Sequence, residues 1–405
     1  MRIIVAHNFY QQPGGEDQVF AAEADLLRRH GEEVHTFTLH NDAIEQMGRI
    51  QTFAATLWNR ESYRSLRQLV RDTQAQVVHF HNTFPLISPA AYAAARDAGA
   101  AVVQTIHNFR LICPSALLLR NDKPCEECVG RTFALPGVIH ACYRGSRMAS
   151  ATVATMTAVH RLLGTWHKAI DAYIALTPFA RGKLIEGGLP ADKIHVEPNF
   201  VDPDPGVGSG SGGYALFVGR LSNEKGVQVL LDAWKQLGND IPLKIIGDGS
   251  LVPLVREAAS RCPAIEWLGR KPLDEVYEWI GNAAFLISPS QCYESCPRVI
   301  SEAFSKGTPV LATGHGAGAD LVRPCETGLL FEPGNAASLA QRVRELAESH
   351  KRMRLAARAQ FELRYTGARH YEKLMEIYQV ALARRGASVE SSAAACAALT
   401  EVGSG

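Results

Sequence analysis

Apolar residues in this chain come in short runs separated by longer amphipathic stretches, and the pattern runs through twice. Runs at residues 2–6, 34–39, 77–81, 101–106, 172–176 and 194–197 are too short for helices and predict buried strands. Between several of them lie helix-period patterns, at 17–30, 88–98 and 177–186. Alternation of this kind predicts a parallel sheet covered on both faces. A stretch rich in Pro, Gly and Ser at 198–213 then breaks the pattern and reads as a linker or a long exposed loop, with the linker proper at 201–213. The alternation restarts at Tyr214, with strands predicted at 215–218, 243–246, 265–268, 284–288, 310–313 and 329–331. Helices are predicted at 226–237, 251–260, 273–280, 298–305 and 336–350. The reading is therefore an α/β protein of two doubly wound domains, 1–200 and 214–365, facing a central cleft. An amphipathic helix at 371–384, within residues 366–385, is expected to pack back on the first domain. Residues 386–405 are small, polar and Ala-rich, and are expected to form a disordered tail.

Size and composition agree with two cores. The chain has 405 residues, 46% hydrophobic and 20% charged, as in soluble globular proteins. A formal net charge of +1 gives no electrostatic case for binding nucleic acid. The apolar start, Ile3 to Ala6, is too brief for a signal peptide, and no run is long enough to span a bilayer. A cytoplasmic location is expected, with the nine cysteines reduced unless they hold a metal. Peripheral contact with the inner face of the membrane is compatible with this. Arg60, Arg64, Arg67 and Arg71 repeat at helical spacing near Trp58, although such a stripe is more often a solvated face.

In open parallel sheets, ligands bind beyond the carboxyl ends of the strands, and the polar clusters of interest fall there. After the strand ending at Ser288 comes a loop with Glu294, then Cys296 and Pro297, then a helix carrying Glu302. Pro297 is placed as the first helical residue. A helix start after such a loop is an anion site, and flanking carboxylates accept hydrogen bonds from hydroxyls. Phosphate between polyhydroxylated groups describes a nucleotide sugar. Arg220 and Lys225 follow the first strand of the second domain and can neutralise a diphosphate without a metal; the bland alternative is a solvated loop. Gly14 and Gly15, in Gln12-Pro13-Gly14-Gly15-Glu16, allow close backbone approach to a phosphate or sugar, or form an ordinary turn. His107 closes a strand at the cleft and can bond a sugar hydroxyl, whereas His7, His79 and His81 read as packing groups.

An insertion at about 110–147 carries Cys113, Cys125, Cys128 and Cys142. Cys125-x-x-Cys128 has the spacing of a metal knuckle, and four thiolates can close a structural zinc site, with His140 as a substitute ligand. An iron–sulfur cluster uses the same ligands and is the second choice, and reduced cysteines in a small apolar pocket are the plain alternative.

With these residues in place, the chain resembles glycosyltransferase family 4, the retaining enzymes of the GT-B fold with two Rossmann-like domains. The resemblance is carried by Gly219-Arg220-Leu221, Lys225-Gly226, Ile246-Gly247-Asp248-Gly249, Glu294 to Glu302, Gly307-Thr308-Pro309-Val310 and Gly328-Leu329-Leu330-Phe331, in family order. The first domain looks like a bacterial branch with the segment His107-Asn108-Phe109-Arg110 followed by a cysteine insertion, associated with cell-surface polysaccharide assembly. The resemblance implies a UDP- or GDP-sugar donor, a saccharide or lipid-linked acceptor and no catalytic metal. Arg220 and Lys225 would hold the diphosphate, Glu302 the ribose and Glu294 the donor sugar. His107 would contact that sugar from the first domain, with Gly14 and Gly15 near its phosphate. Ser295-Cys296-Pro297 departs from the common pattern after the first glutamate, and Asp320 is the one acidic residue in 314–320. An epimerase or phosphorylase on the same fold would need further acid–base residues or a cofactor lysine. A non-catalytic sensor would be favoured by loss of a glutamate or of the Arg/Lys pair, and all four are present.

Overall fold

The computed structural model describes residues 1–11 and 14–402, with side chains as far as Ala387. The first body holds β1 (Arg2–Phe9), α1 (Gly15–Arg29), β2 (Glu33–His40), α2 (Arg49–Leu57), α3 (Arg60–Thr73), β3 (Val77–Asn82), α4 (Ala90–Asp97) and β4 (Ala101–Ile106). An insertion follows, with the short hairpin β5 (Leu119–Arg120) and β6 (Lys123–Pro124), α5 (Leu135–Ile139), α6 (Arg147–Leu162) and α7 (Thr165–Lys168). The body ends with β7 (Ala172–Ala175), α8 (Pro178–Glu186) and β8 (Ile194–Val196). Its sheet has the order β2-β1-β3-β4-β7-β8, all parallel. β3, β4 and β7 are buried along their whole length, which is why their apolar runs are continuous, not alternating.

The second body holds β9 (Ala215–Val218), α9 (Val227–Leu237), β10 (Leu243–Ile246), α10 (Val252–Arg261), β11 (Ile265–Gly269), α11 (Leu273–Asn282) and β12 (Phe285–Ser288). It continues with α12 (Arg298–Ser305), β13 (Val310–Thr313), α13 (Gly316–Leu321), β14 (Gly328–Phe331) and α14 (Ala336–Arg364). Its parallel order, β11-β10-β9-β12-β13-β14, reverses between β9 and β12, which makes the crevice beyond those two strands the natural ligand site.

Three segments differ from the sequence-based expectation. Residues 201–213 form an irregular and largely exposed stretch, but it is docked and not free: the N–H groups of Gly208, Gly210 and Gly212 bond the carbonyls of Lys306, Gly281 and Asn282 at 3.0, 2.9 and 2.8 Å. The backbones touch so closely that a Cβ on Gly208 would lie 2.2 Å from Gly281, so the glycines serve close docking. α14 runs to Arg364, well past residue 350, because Met353, Ala357, Gln360 and Phe361 continue its buried face among charged neighbours. α15 (Gly367–Val402) is helical where residues 386–405 were expected to be disordered; their alanines are strong helix formers. Gly403 to Gly405 lie outside the described residues.

The chain crosses between the bodies twice, and the crossings lie together. Val201 N–H bonds Tyr365 O at 2.8 Å and Val201 bridges Thr366. α15 then returns to the first sheet, burying Leu374, Ile377 and Tyr378 against Ile3, Val5, Phe20 and Val103. Large side chains of this kind contribute about 1.5–3 kcal/mol each on burial.

Candidate active site

The loops after β9 and β12 flank the switch-point crevice and are docked on each other. Gly226 has φ 73°, and a Cβ there would sit 1.9 Å from Pro289 O, so only glycine permits the approach. Gln291 N–H bonds Glu224 O at 2.8 Å across the same seam. This docking brings Lys225 Nζ to 2.5 Å from Glu294 Oε1, which also accepts from Ser290 Oγ at 2.7 Å. Burial opposes the charge on Glu294, but Lys225, Ser290 and Arg220 outweigh it and hold the carboxyl below the usual range. Burial likewise opposes the Lys225 ammonium, and Glu294 more than offsets it, so the lysine is held above its usual value. Arg220 lies exposed at the mouth of the crevice.

Glu302 is buried on α12, 3.3 Å from Arg298 Nη2. Burial raises its carboxyl, and Arg298 only partly offsets this. Arg298 was not among the sequence candidates, although its i, i+4 spacing to Glu302 was a readable signal. It also donates to Gln18 on α1 in the first body, so the N-termini of α1 and α12 face each other across the cleft. Pro297 is the N-cap of α12, not its first helical residue, with ψ 111° outside the helical range. Cys296 is buried in the apolar cluster around Ile300 and Phe304, where burial pushes its thiol up to about 12. Its carbonyl accepts from Asn199 at 3.1 Å, and its thiol is hydrogen-bonded to the same residue. Asp320 lies away from the donor crevice and accepts from Phe179 N–H at the start of α8 at 2.5 Å.

On the facing side, Gly14 is the N-cap of α1 and Gly15 its first residue; Gln12 and Pro13 lie outside the described residues. Gly14 N–H is taken by Asp17 Oδ2 at 2.7 Å, and Asp17 Oδ1 in turn meets His7 Nε2 at 2.6 Å. A Cβ on Gly15 would lie 3.8 Å from the Arg298 stem, an ordinary contact, so the packing does not require glycine there. His107 sits at the end of a polar chain: its Nε2 is 3.0 Å from His81 Nδ1, and His81 Nε2 is 3.1 Å from Glu23 Oε1. Burial and the neighbouring imidazoles hold His107 well below its usual value, and His81 falls to about 4 by burial. Both rings are therefore neutral. Glu23, an acceptor, takes the His81 Nε2 proton; His81 Nδ1 then accepts from His107 Nε2–H. This leaves His107 Nδ1 as a lone-pair acceptor for a substrate hydroxyl. His107 also borders an open recess of about 540 Å3 in the first body, lined by Thr83, Tyr92, Asn108, Arg110 and Trp166.

Glu23, His79 and His81 hold ligand atoms within 4.8 Å of one another and could in principle bind a cation. Their hydrogen bonds are already spent: His79 Nε2 on Thr105 at 2.8 Å, His81 on His107, and the second Glu23 oxygen on His370 at 3.1 Å. The cluster is a buried polar network. Cys113, Cys125, Cys128 and Cys142 lie elsewhere, lining one recess of about 300 Å3 inside the insertion.

Comparison with known proteins gives a consistent result. Residues 13–205 match the model of Glycosyltransferase Family 4, and residues 212–349 that of Glycosyl transferases group 1. An uncharacterized glycosyltransferase of Methanocaldococcus jannaschii is 33% identical over 183 residues, 45% of this chain and 51% of that protein. The phosphatidyl-myo-inositol mannosyltransferase of Mycobacterium leprae is 29% identical over 267 residues, 63% of this chain and 70% of that protein. The chain thus spans about half the length of the first relative. Among solved structures, Anabaena HepE in complex with UDP superposes with a TM-score of 0.67 at 17% identity, over 93% of this chain and 99% of that one. At that identity the likeness establishes the fold, which is GT-B.

Proposed function

Because this chain belongs to the glycosyltransferases of family 4 and group 1, we propose that it moves a sugar, with retention, from a nucleotide diphosphate sugar to a saccharide or lipid-linked acceptor in polysaccharide or glycoconjugate synthesis. The observation that carries the reading is the Lys225–Glu294 contact at the switch point, beside α12, whose Arg298 bonds Gln18 of α1 across the cleft. Lys225, Arg220 and the N-terminus of α12 supply positive charge where a leaving diphosphate develops negative charge. Glu302 accepts the ribose hydroxyls, and Glu294 faces the donor sugar. His107 Nδ1 accepts a hydroxyl of that sugar. The leaving diphosphate takes the acceptor's proton on the same face of the ring, so the protein contributes charge and positioning without a nucleophile of its own.

The recess beside His107 is the acceptor side of the cleft. The donor is a UDP- or GDP-sugar. No described helix is long and apolar enough to cross a membrane. Ile50, Phe53 and Trp58 are nonetheless exposed on and just after α2, close in sequence to exposed Arg60, Arg64 and Arg71. An apolar and basic face of this kind supports peripheral contact with an anionic membrane surface and a lipid-linked acceptor. The test is a melting screen over UDP-, GDP- and ADP-sugars. A true donor at a hundred times its Kd stabilises by about 2.7 kcal/mol and raises Tm in a concentration-dependent way. No shift with any nucleotide sugar sinks the reading.

A further inference from the structure

Cys113, Cys125, Cys128 and Cys142 come from three separate stretches of the insertion, yet their side chains line a single recess of about 300 Å3. Ile112, Cys113 and Leu118 anchor the segment in the main core of the first body, with Val129 and Tyr143 packed against it, but the rest has little regular structure of its own. Its regular structure is a hairpin of two-residue strands and a five-residue helix. The apolar cluster there consists of Cys128, Ala134 and Ala154, with Val138 packed against it. Leu117, Phe133, Leu135 and Ile139 face solvent instead of filling a core. Six non-glycine residues in the segment take left-handed backbone conformations: Ala116, Leu118, Asn121, Asp122, Ala141 and Arg144. Each costs roughly 1 kcal/mol or more for a residue with a Cβ, and burial on this scale does not offset that. A cross-link through the four cysteines that line the recess would.

The chemistry of the recess suits a divalent, thiophilic ion. Four thiolates around zinc carry a net charge of −2. Arg120 lines the same recess beside Cys125 and Cys142, with its guanidinium paired to the Glu127 carboxylate through both terminal nitrogens. His140 also lines it, but its ring is half-exposed and turned to the Glu127 carboxylate at 4.0 Å, which leaves the cysteines as ligands. Among the described residues, Glu23, His79 and His81 are the set whose ligand atoms already lie within 4.8 Å of one another. The four sulfurs are not among such sets, so binding the ion draws them together, to Zn–S bonds of about 2.3 Å.

The knuckle also reaches the donor loop. Glu126, inside Cys125-x-x-Cys128, accepts from Lys183 on α8 at 2.9 Å and bonds the Tyr293 hydroxyl. Tyr293 packs edge-on to Phe179 at 4.8 Å and immediately precedes Glu294. We propose that Cys113, Cys125, Cys128 and Cys142 bind a structural zinc ion that orders the insertion and fixes Glu126 against Tyr293 across the cleft. The metal site stands apart from the sugar-transfer reading; the consequence for Glu294 rests on it.

The experiment is metal analysis of the untagged full chain, with free thiols counted on the same sample. About one zinc per chain, released on modification of four thiols, is the expected result, and Cys125→Ser with Cys128→Ser should bring zinc close to zero. Should those variants fail to fold, cobalt substitution of the wild-type protein decides: tetrahedral tetrathiolate absorption supports the site, and its absence overturns it. Stoichiometric iron, disulfides among the four cysteines, or four free thiols with no metal each overturn the assignment. Glu126→Gln should keep its zinc. None of these readings requires transferase activity.

Discussion

His370 is the residue whose removal should read out most clearly, because it ties both crossings and α1 together. Its Nδ1 lies 2.9 Å from Glu197 on the first crossing, and its Nε2 lies 3.1 Å from Glu23 on α1. The ring stacks on Phe200 at 4.2 Å. Burial opposes its charge, but the two carboxylates win and lift it to about 9. From an unfolded value near 6.5 this is a difference of roughly 3 kcal/mol. A raised folded value means the contribution is fully present below about pH 6.5 and is lost as pH climbs toward 9. Glu23 works in the opposite sense. Burial raises it, but His79, His81 and His370 hold it well below its usual value, so its share is lost only in acid. Glu197 is raised by burial despite His370, so the three groups titrate as one unit. His79, His81 and Tyr378 complete the surroundings. His370→Asn should therefore melt below the wild type by a gap that is widest near pH 6 and narrows by pH 10. With about 2.1 cal/mol/K of unfolding entropy per residue over the whole chain, roughly 3 kcal/mol is a narrowing of about 3–4 °C. Scanning calorimetry of both proteins over that range measures it. A gap that stays constant with pH would refute the charged clasp and leave His370 as a packing group.

Two further outcomes concern the cleft. Lys225→Ala should lower kcat about 100- to 1000-fold, as loss of one preorganised charge at a leaving group does. It should also move the acid limb of the pH–rate profile upward, because Glu294 loses the cation that holds it ionised; an unmoved limb would mean the pair is not formed in the working enzyme. Glu302→Ala should weaken binding of the free nucleoside diphosphate, whereas Glu294→Ala should leave that binding near wild type and depress transfer. Calorimetric titration separates the two, and equal loss in both variants would remove the division of labour between the glutamates.

Strands were easy to read because buried parallel strands leave continuous apolar runs. The predicted ends of Ala101–Ile106, Ala215–Val218, Leu243–Ile246 and Val310–Thr313 coincide with the observed ones. Helix ends fared worse where tertiary packing decides. Nothing local in residues 351–364 says that Arg354 will bond the carbonyls of Gly208 and Lys306 at 2.7 and 3.1 Å and hold the helix against the linker. The glutamates were legible because a strand, a loop and a helix start place them. Their different electrostatics were not, since Lys225 lies 69 residues from Glu294 in sequence. His81 read as packing for the same reason: its acceptor Glu23 is 58 residues away.

The pairing of Glu294 with Lys225 resolves an apparent contradiction in the cleft, where an acid stands beside a site for an anion. Burial alone would tend to discharge the lysine, and a neutral amine would do little for a diphosphate. A carboxylate with its charge centre about 4 Å away, in an environment of effective dielectric near 20, is worth about 4 kcal/mol of gross attraction. That keeps the ammonium charged and fixed before any donor arrives. Ser290 holds the carboxylate in turn, so neither partner reorganises when charge develops on the leaving group. Glu294 has a second oxygen beyond the one facing Lys225, and that oxygen is available to a sugar hydroxyl. The acid therefore supports the cation beside it, and under the proposed function its remaining oxygen is the acceptor that would meet the transferred sugar. Glu302 has the weaker partner, Arg298 at 3.3 Å, and its carboxyl is raised. A carboxylate left short of hydrogen bonds gains most from the paired hydroxyls of a ribose. The two residues share a side chain and a loop–helix unit but differ in their partners and in the direction of their shifts, and the proposed division of the donor between them rests on that difference.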